Sequence, residues 1–327
     1  MTGRHSGGGP NPLRAVLAAA VVLAVVALVL VIRHRSTSTD QAATTPPTVA
    51  PPTLAGPTVA DTPAPTSSTP DSPTTSAAVP TASTARVSVA SYPAVDSLID
   101  EAPAGGVSVS AYNTVTGKTI TLGATHGMIE ASVSKLALLE ILLLEHQDAH
   151  TTLSDHEDDE LQEMIEQSSN EAADDVFDLA GGHDTVVAHQ APLGLNTNVT
   201  IYGSGNLWGL TTSSAAQQIV LLKNLVETDS PLDAKSRAYA LGLLEDVESD
   251  QRWGVPVAAD PGTSYAVKNG WLAVDDDHDL WAVNSDGIIT ADGQRLLVSV
   301  MSQHGQSFDA GIDYDEKLVK AVVAAIT

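Results

Sequence analysis

Between residues 36 and 92 the chain offers almost nothing from which a core could be built. The stretch TTPPTVAPPTLAGPTVADTPAPTSSTPDSPTTSAAVP has almost no large apolar side chain, and ten of the chain's 18 prolines lie between Pro46 and Pro80. Such a segment cannot bury enough surface to offset the entropy of ordering it, and proline stiffens what is left. An unfolded spacer is expected, reaching on the order of 150 Å at about 3.1 Å per residue when extended. Any compact structure must therefore come from residues 93–327.

Upstream of the spacer, Ala15–Ile32 is 18 consecutive residues drawn from Ala, Val, Leu and Ile. As a helix it is about 27 Å long, near the hydrocarbon thickness of a bilayer. Arg33-His34-Arg35 follows it, where a cleaved leader would show small residues. The expectation is a cytoplasmic tail and transmembrane signal anchor over residues 1–35, with secretion after signal cleavage as the alternative. Arg4 and Arg14 before the run balance Arg33 and Arg35 after it, so flanking charge barely orients the span. The spacer argues better: it suits a stalk holding residues 93–327 outside the cell membrane, at or within a cell wall.

Charge and cysteine content exclude several functions. From residue 87 onward the chain has 10 Lys and Arg against 37 Asp and Glu. That surface repels phosphate backbones, so nucleic acid is not an expected partner. With no cysteine in the sequence, disulfides, thiolate metal sites, a cysteine nucleophile and a lipid-modified cysteine are excluded.

The C-terminal part has an α+β pattern. GVSVSAYNTVTGKTITLG alternates around the turn residues Thr114–Lys118 and predicts a hairpin. From Ile129 to about Leu225 the pattern is helical with loops between. SYAVKNGWLAV, DLWAVNSDGIIT and QRLLVSVMS then predict three strands, joined at Asp275–His278 and Ala291–Gly293, and FDAGIDYDEKLVKAVVAAI an amphipathic closing helix. Early strands, a helical middle and late strands suggest one antiparallel sheet assembled from both ends, with a helical subdomain inserted.

In EASVSKLALLEILLLEH, Ser132 stands three residues before Lys135 at the head of a helix that is apolar on nearly every side. That spacing puts both on one face. A serine hydroxyl is a poor nucleophile until a base takes its proton, and a lysine does this once a desolvated site or a nearby cation lowers its pKa. A serine in the first turn of a helix also sits among free N–H groups that can face an oxyanion. Alone, the pair favours the plain reading, a surface lysine at a helix start. Its company changes that: Ser168-Ser169-Asn170 ends a helical run in MIEQSSNEAADDVF, and Lys268-Asn269-Gly270 lies on a predicted strand in VKNGW.

These three words, in this order, resemble the S-x-x-K, S-D-N and K-T-G motifs of class A β-lactamases and penicillin-binding proteins. The resemblance spans the whole folded part and includes ASVSKLALL, GLTTSSAAQQIVLL and QRWGVP. It implies the β-lactamase/transpeptidase-like fold and a serine hydrolase working through an acyl-enzyme, without metal or cofactor. The implied substrates are β-lactams or the D-Ala-D-Ala-like amides of wall peptides. Ser132 would be the nucleophile, Lys135 its base and Ser168 a proton shuttle. Asn170, Lys268, Asn269 and Gly270 would contact substrate, and the N–H of Trp271 would complete an oxyanion hole with that of Ser132.

Three departures qualify what the resemblance implies. Ser169 replaces a mainly structural aspartate, so local repacking is expected. Asn269 replaces a hydroxyl residue, and its amide is expected to donate to the substrate carboxylate in place of that hydroxyl. GLNTNVTIYGSGNLWGLTT, residues 194–212, contains no Asp or Glu, although class A β-lactamases use a glutamate there to activate the deacylating water. A D,D-peptidase-like enzyme, or a non-catalytic β-lactam or wall-peptide binding module, fits that loop as well as a β-lactamase does.

Other features favour plain readings. His146, His150 and His156 lie among acids in EHQDAHTTLSDHEDDE without compact ligand spacing, and DDDHD at 275–279 lacks EF-hand spacing. Trp208, Trp253, Trp271 and Trp281 all fall in segments expected to wall the cleft. Packing accounts for them, and stacking on a ligand is the alternative.

Overall fold

The computed structural model describes residues 91–196, 199–200, 207–274 and 277–327, all within one compact unit, Ser83–Thr327. The expected anchor at Ala15–Ile32 and the stalk lie outside the described residues. Among those residues no helix is long and apolar enough to cross a membrane.

Five strands form one antiparallel sheet in the order β2-β1-β7-β6-β5: β1 Val107–Asn113, β2 Thr119–Gly123, β5 Ala266–Val274, β6 Leu280–Ala291 and β7 Gln294–Gly305. The first hairpin thus joins the last strand, Val109 facing Val300 and Ala111 facing Val298. This is the sheet assembled from both ends that the sequence predicts. A small ribbon, β3 Met128–Ile129 with β4 Thr212–Ser213, stands apart.

Alternation along β1 sends Val107, Val109 and Ala111 to one side and Ser108, Ser110 and Tyr112 to the other, and both sides are covered. On the valine side lie α1, Pro93–Glu101, and the closing helix α8, Phe308–Ile326. Leu318, Val319, Val322 and Val323 of α8 pack in one core with Val109, Val298 and Val300. Gly311 lets α8 approach closely, since a Cβ there would stand 2.4 Å from Val283 Cγ2.

The other side carries the helical insert. Its helices are α2 Lys135–Ala149, α3 Asp155–Glu166, α4 Asn170–Leu179, α5 Gly182–His189, α6 Ala215–Val226 and α7 Ala234–Glu245. Because α2 is apolar all round, it can only be stable when enclosed, and Leu136, Leu138, Leu139, Ile141 and Leu142 are at most 2% exposed. Ser154 and Glu157 form a reciprocal capping box that starts α3. Two helices escape the sequence pattern: α1, whose Pro93 sits in its first turn, and α7, beyond the expected limit near Leu225.

Candidate active site

Ser132 sits in a 3₁₀ turn, Ala131–Ser134, that runs directly into α2. Lys135, the first residue of α2, is fully buried. The turn is pinned from the sheet: Asn284 Nδ2 donates to the carbonyls of Ile129 and Glu130 at 2.9 and 2.8 Å. Ala131 takes a positive φ of 49° and Ser168 one of 59°. Such conformations are costly for residues with a Cβ and gather where the surrounding structure holds a site in place. The motif spacing gives no sign of them.

The three words converge. Lys135 Nζ donates to the Ser168 carbonyl at 2.6 Å, to Asn170 Oδ1 at 2.9 Å and, at 3.3 Å, to Ser168 Oγ. From β5, Lys268 Nζ donates to the same Ser168 Oγ at 2.8 Å and to the Asn269 carbonyl at 3.2 Å. A Cβ on Gly270 would lie 2.8 Å from Glu130 O, Ser132 N and Val133 N, so only glycine lets β5 pass this close to the Ser132 turn. Ser132 Oγ makes no hydrogen bond among the described residues, and Lys135 engages Ser168 and Asn170 instead. Ser132, Asn170 and Trp271 line one open cleft of about 190 Å³ together with Leu207, Trp208 and Leu210.

Burial sets the charges. It lowers the Lys135 amine to about 7, with the Asp174 carboxylate pulling the other way. Lys268 falls well below the usual lysine range, through burial first and repulsion by Lys135 second, while Asp286 opposes the fall. A lysine that loses its proton near neutrality is a competent base. Asp286 lies directly across the β5–β6 ladder from Lys268, and burial raises its carboxyl to about 8.

Asn269 requires a correction. It is buried, and both its amide hydrogens are taken: Nδ2 donates to Gln251 O at 2.7 Å and Trp253 O at 3.1 Å. No N–H remains for a substrate carboxylate. Strand alternation explains this, because Lys268 and Gly270 face the Ser132 turn and Asn269 faces away. Ser169 has become the N-cap of α4, its Oγ accepting from Ala172 N at 3.1 Å.

Sequence reasoning missed Asp174. It lies four residues beyond Asn170 on α4, hence on the same face. It accepts from Trp208 Nε1 at 2.8 Å, and the Trp208 ring lies 4.9 Å from Lys135 Nζ. The other three tryptophans gather around Phe308, with centroid distances of 5.2–5.8 Å. His146 pairs with Glu157 at 3.0 Å and His156 with Glu160 at 3.5 Å. Among the described residues no group of three or more His, Cys, Asp and Glu could hold a metal ion. Asp275 and Asp276 of DDDHD lie outside those residues, and Asp277 hydrogen-bonds His304.

Comparison with known proteins agrees with this architecture. The sequence model of the beta-lactamase enzyme family matches residues 158–326. A protein named "Putative lipoprotein LppW" from Mycobacterium tuberculosis is 29% identical over 210 residues, covering 61% of this chain and 64% of the relative; the match thus spans less than two thirds of that relative's length. Among solved structures, a beta-lactamase from Chitinophaga pinensis superposes with a TM-score of 0.61 at 20% identity, covering 71% of this chain and 98% of its own. PBP-A does so with 0.61 at 18%, over 71% and 93%. The class A beta-lactamase from Mycobacterium abscessus gives 0.58 at 19%, over 71% and 97%.

Proposed function

The chain belongs to the beta-lactamase enzyme family, and on that premise we propose that it is a serine hydrolase acting through an acyl-enzyme on β-lactams or D-Ala-D-Ala-like amides. The observation that carries the reading is the convergence of Lys135 and Lys268 on Ser168 beside the turn that presents Ser132.

In this mechanism the neutral Lys135 amine takes the proton of Ser132 Oγ, which attacks the amide carbonyl carbon. The developing oxyanion accepts from the N–H groups of Ser132 and Trp271, which the missing Cβ of Gly270 lets approach. The C–N bond breaks as Ser168, relaying a proton from the Lys135 side, protonates the leaving nitrogen. Burial lowers Lys268, but a substrate carboxylate placed beside it favours the protonated amine, so Lys268 supplies positive charge once substrate is bound, and Asn170 steadies Lys135 and the substrate amide. The Asn269 side chain has no N–H left to donate to substrate.

A second reading, a D,D-peptidase-like enzyme or covalent binder with slow turnover, is favoured by one further observation. Among the described residues of the 194–212 loop, Trp208 lies over Lys135, and the loop's sequence carries no carboxylate to activate water. For localisation we infer membrane attachment through Ala15–Ile32. The relative's name speaks of a lipoprotein, whereas this sequence has no cysteine to carry a lipid.

One experiment separates the readings. The protein is incubated with a chromogenic cephalosporin and, separately, a fluorescent penicillin, with Ser132→Ala as control. Rapid colour marks a β-lactamase, and stable Ser132-dependent labelling marks a peptidase-like enzyme. Absence of both overturns the acyl-enzyme reading and leaves a non-catalytic module.

A further inference from the structure

Ser168 follows α3 with a left-handed backbone, φ 59°, at a place that glycine usually takes. The last carbonyls of a helix also lack partners within it. Here those of Glu166 and Gln167 are met by one passing segment. Glu248 N donates to Glu166 O at 3.0 Å, and Gln251 Nε2 donates to Gln167 O at 2.8 Å.

That segment carries the word QRWGVP, and its other end is fixed to the sheet. Asn269 of β5 and Ser285 of β6 are cross-strand partners, so both side chains face away from the Ser132 turn. Asn269 Nδ2 donates to the carbonyls of Gln251 and Trp253 at 2.7 and 3.1 Å, and Ser285 Oγ accepts from Val255 N at 2.9 Å. Arg252 Nε closes the turn onto Val247 O at 2.8 Å. Gln251 and Asn269 are both buried, and the acceptors they meet are carbonyls, which only the NH2 end of an amide can satisfy. Val255 belongs to the core that α8 covers, so the segment ties the helical insert to the opposite face of the sheet.

We propose that Gln251 and Asn269 are positioning residues for Ser168. They form a two-link clamp, Asn269 on the backbone of 251–253 and Gln251 on the end of α3, that keeps the Ser168 hydroxyl between Lys135 and Lys268. The inference rests on the acyl-enzyme reading for its chemistry. Asn269 thus acts on the reaction from behind its strand, without touching substrate. A relay hydroxyl displaced by even an ångström transfers its proton poorly, and the left-handed backbone at Ser168 persists only while its surroundings hold it.

The test is a double-mutant cycle in the full chain. Gln251→Met keeps the length of the side chain and removes the donor. Acylation of Ser132 by a fluorescent penicillin is expected to slow about 10-fold, the scale of one hydrogen bond, and about as much in Asn269→Leu. Because Gln251 acts through Ser168, adding Gln251→Met to Ser168→Ala should cost at most about a further two-fold, whereas a merely structural loss multiplies the two effects. Multiplied losses, or wild-type rates in both single variants, overturn the clamp. Hydrogen exchange reads it without the chemistry: the backbone amides of 166–170 should exchange about 10-fold faster in Gln251→Met, while those of β6 and β7 keep their rates. Unchanged exchange at 166–170 also overturns the clamp. Faster exchange there, in a protein whose wild type is never acylated, sinks the enzyme reading alone.

Discussion

Lys268 Nζ donates to Ser168 Oγ at 2.8 Å, across 100 positions of sequence. Lys135 reaches the same oxygen at 3.3 Å, so a single hydroxyl stands between two buried amines. Removing it should break the relay to the leaving nitrogen while leaving Lys135 held by the Ser168 carbonyl and Asn170. Ser168→Ala is therefore expected to slow labelling of Ser132 by a fluorescent penicillin by about 100-fold, the usual scale of one acid–base group. Stopped-flow acylation checks this. A rate within a factor of two of the wild type would remove Ser168 from the chemistry.

Gly270 makes a different prediction. The atoms a Cβ would strike, Glu130 O, Ser132 N and Val133 N, are all backbone and all at 2.8 Å, so no side-chain rotation relieves the clash. Gly270→Ala should push β5 off the nucleophile's turn and displace one oxyanion donor. Acylation is expected to fall about 100-fold or more, with a loss of about 1–3 kcal/mol in stability from overpacking. Denaturant melts alongside acylation rates separate the two effects.

Asp174 fixes a sign. Its carboxylate raises the Lys135 amine, which burial has lowered to about 7. Acylation requires Lys135 neutral, so the rate should climb as pH rises through about 7. Asp174→Asn removes the charge that favours the protonated amine, and the climb should move to lower pH. The pH profile of the acylation rate constant measures this, and a shift to higher pH would contradict the assignment of Lys135 as the base.

The legibility of the site follows from which constraints are local. Ser132, Lys135, Ser168, Asn170, Lys268 and Gly270 stood out in the sequence because they fall in three short words, each confined to one stretch of chain, and the structure brings those words together. The hairpin at Thr114–Lys118 and the three late strands were readable from alternation and turn residues. The orientation of Asn269 is implicit in period-two alternation, which opposes it to Lys268 and Gly270, whereas the three-residue motif carries no sign of which side chains share a face. Asp174 became relevant only when α4 packed beside the loop bearing Trp208. The left-handed backbone at Ala131 and Ser168 is imposed by tertiary packing on residues with no intrinsic preference for it. The helix α7 carries buried Ala240, Leu243 and Leu244 on too narrow a stripe to stand out in sequence.

The buried carboxyls make stability depend on pH in a definite direction. Burial raises Glu130 to about 7, Asp286 to about 8 and Asp315 well above the ordinary range. Each has a folded pKa above its unfolded value near 4, so the native state holds more protons than the unfolded chain between about pH 4 and pH 8. The stability is fully present below that window and is lost as pH rises through it. Two lysines act oppositely: Lys135 only above about pH 7, where the folded amine is neutral and the unfolded one still charged, and Lys268, which burial also lowers, as a single group against three carboxyls. Between pH 5 and pH 7 the carboxyls therefore dominate, and the domain should be more stable at pH 5. Asp286 faces Lys268 across the ladder and feels Glu130 and Asp315 as well. Asp286→Asn cannot ionise, and should reduce the loss between pH 5 and pH 7 by about 2–3 kcal/mol, one proton over two pH units. Urea melts of both proteins at the two pH values provide the measurement, and an equal loss in the variant would mean that Asp286 is already ionised in the folded state at pH 5.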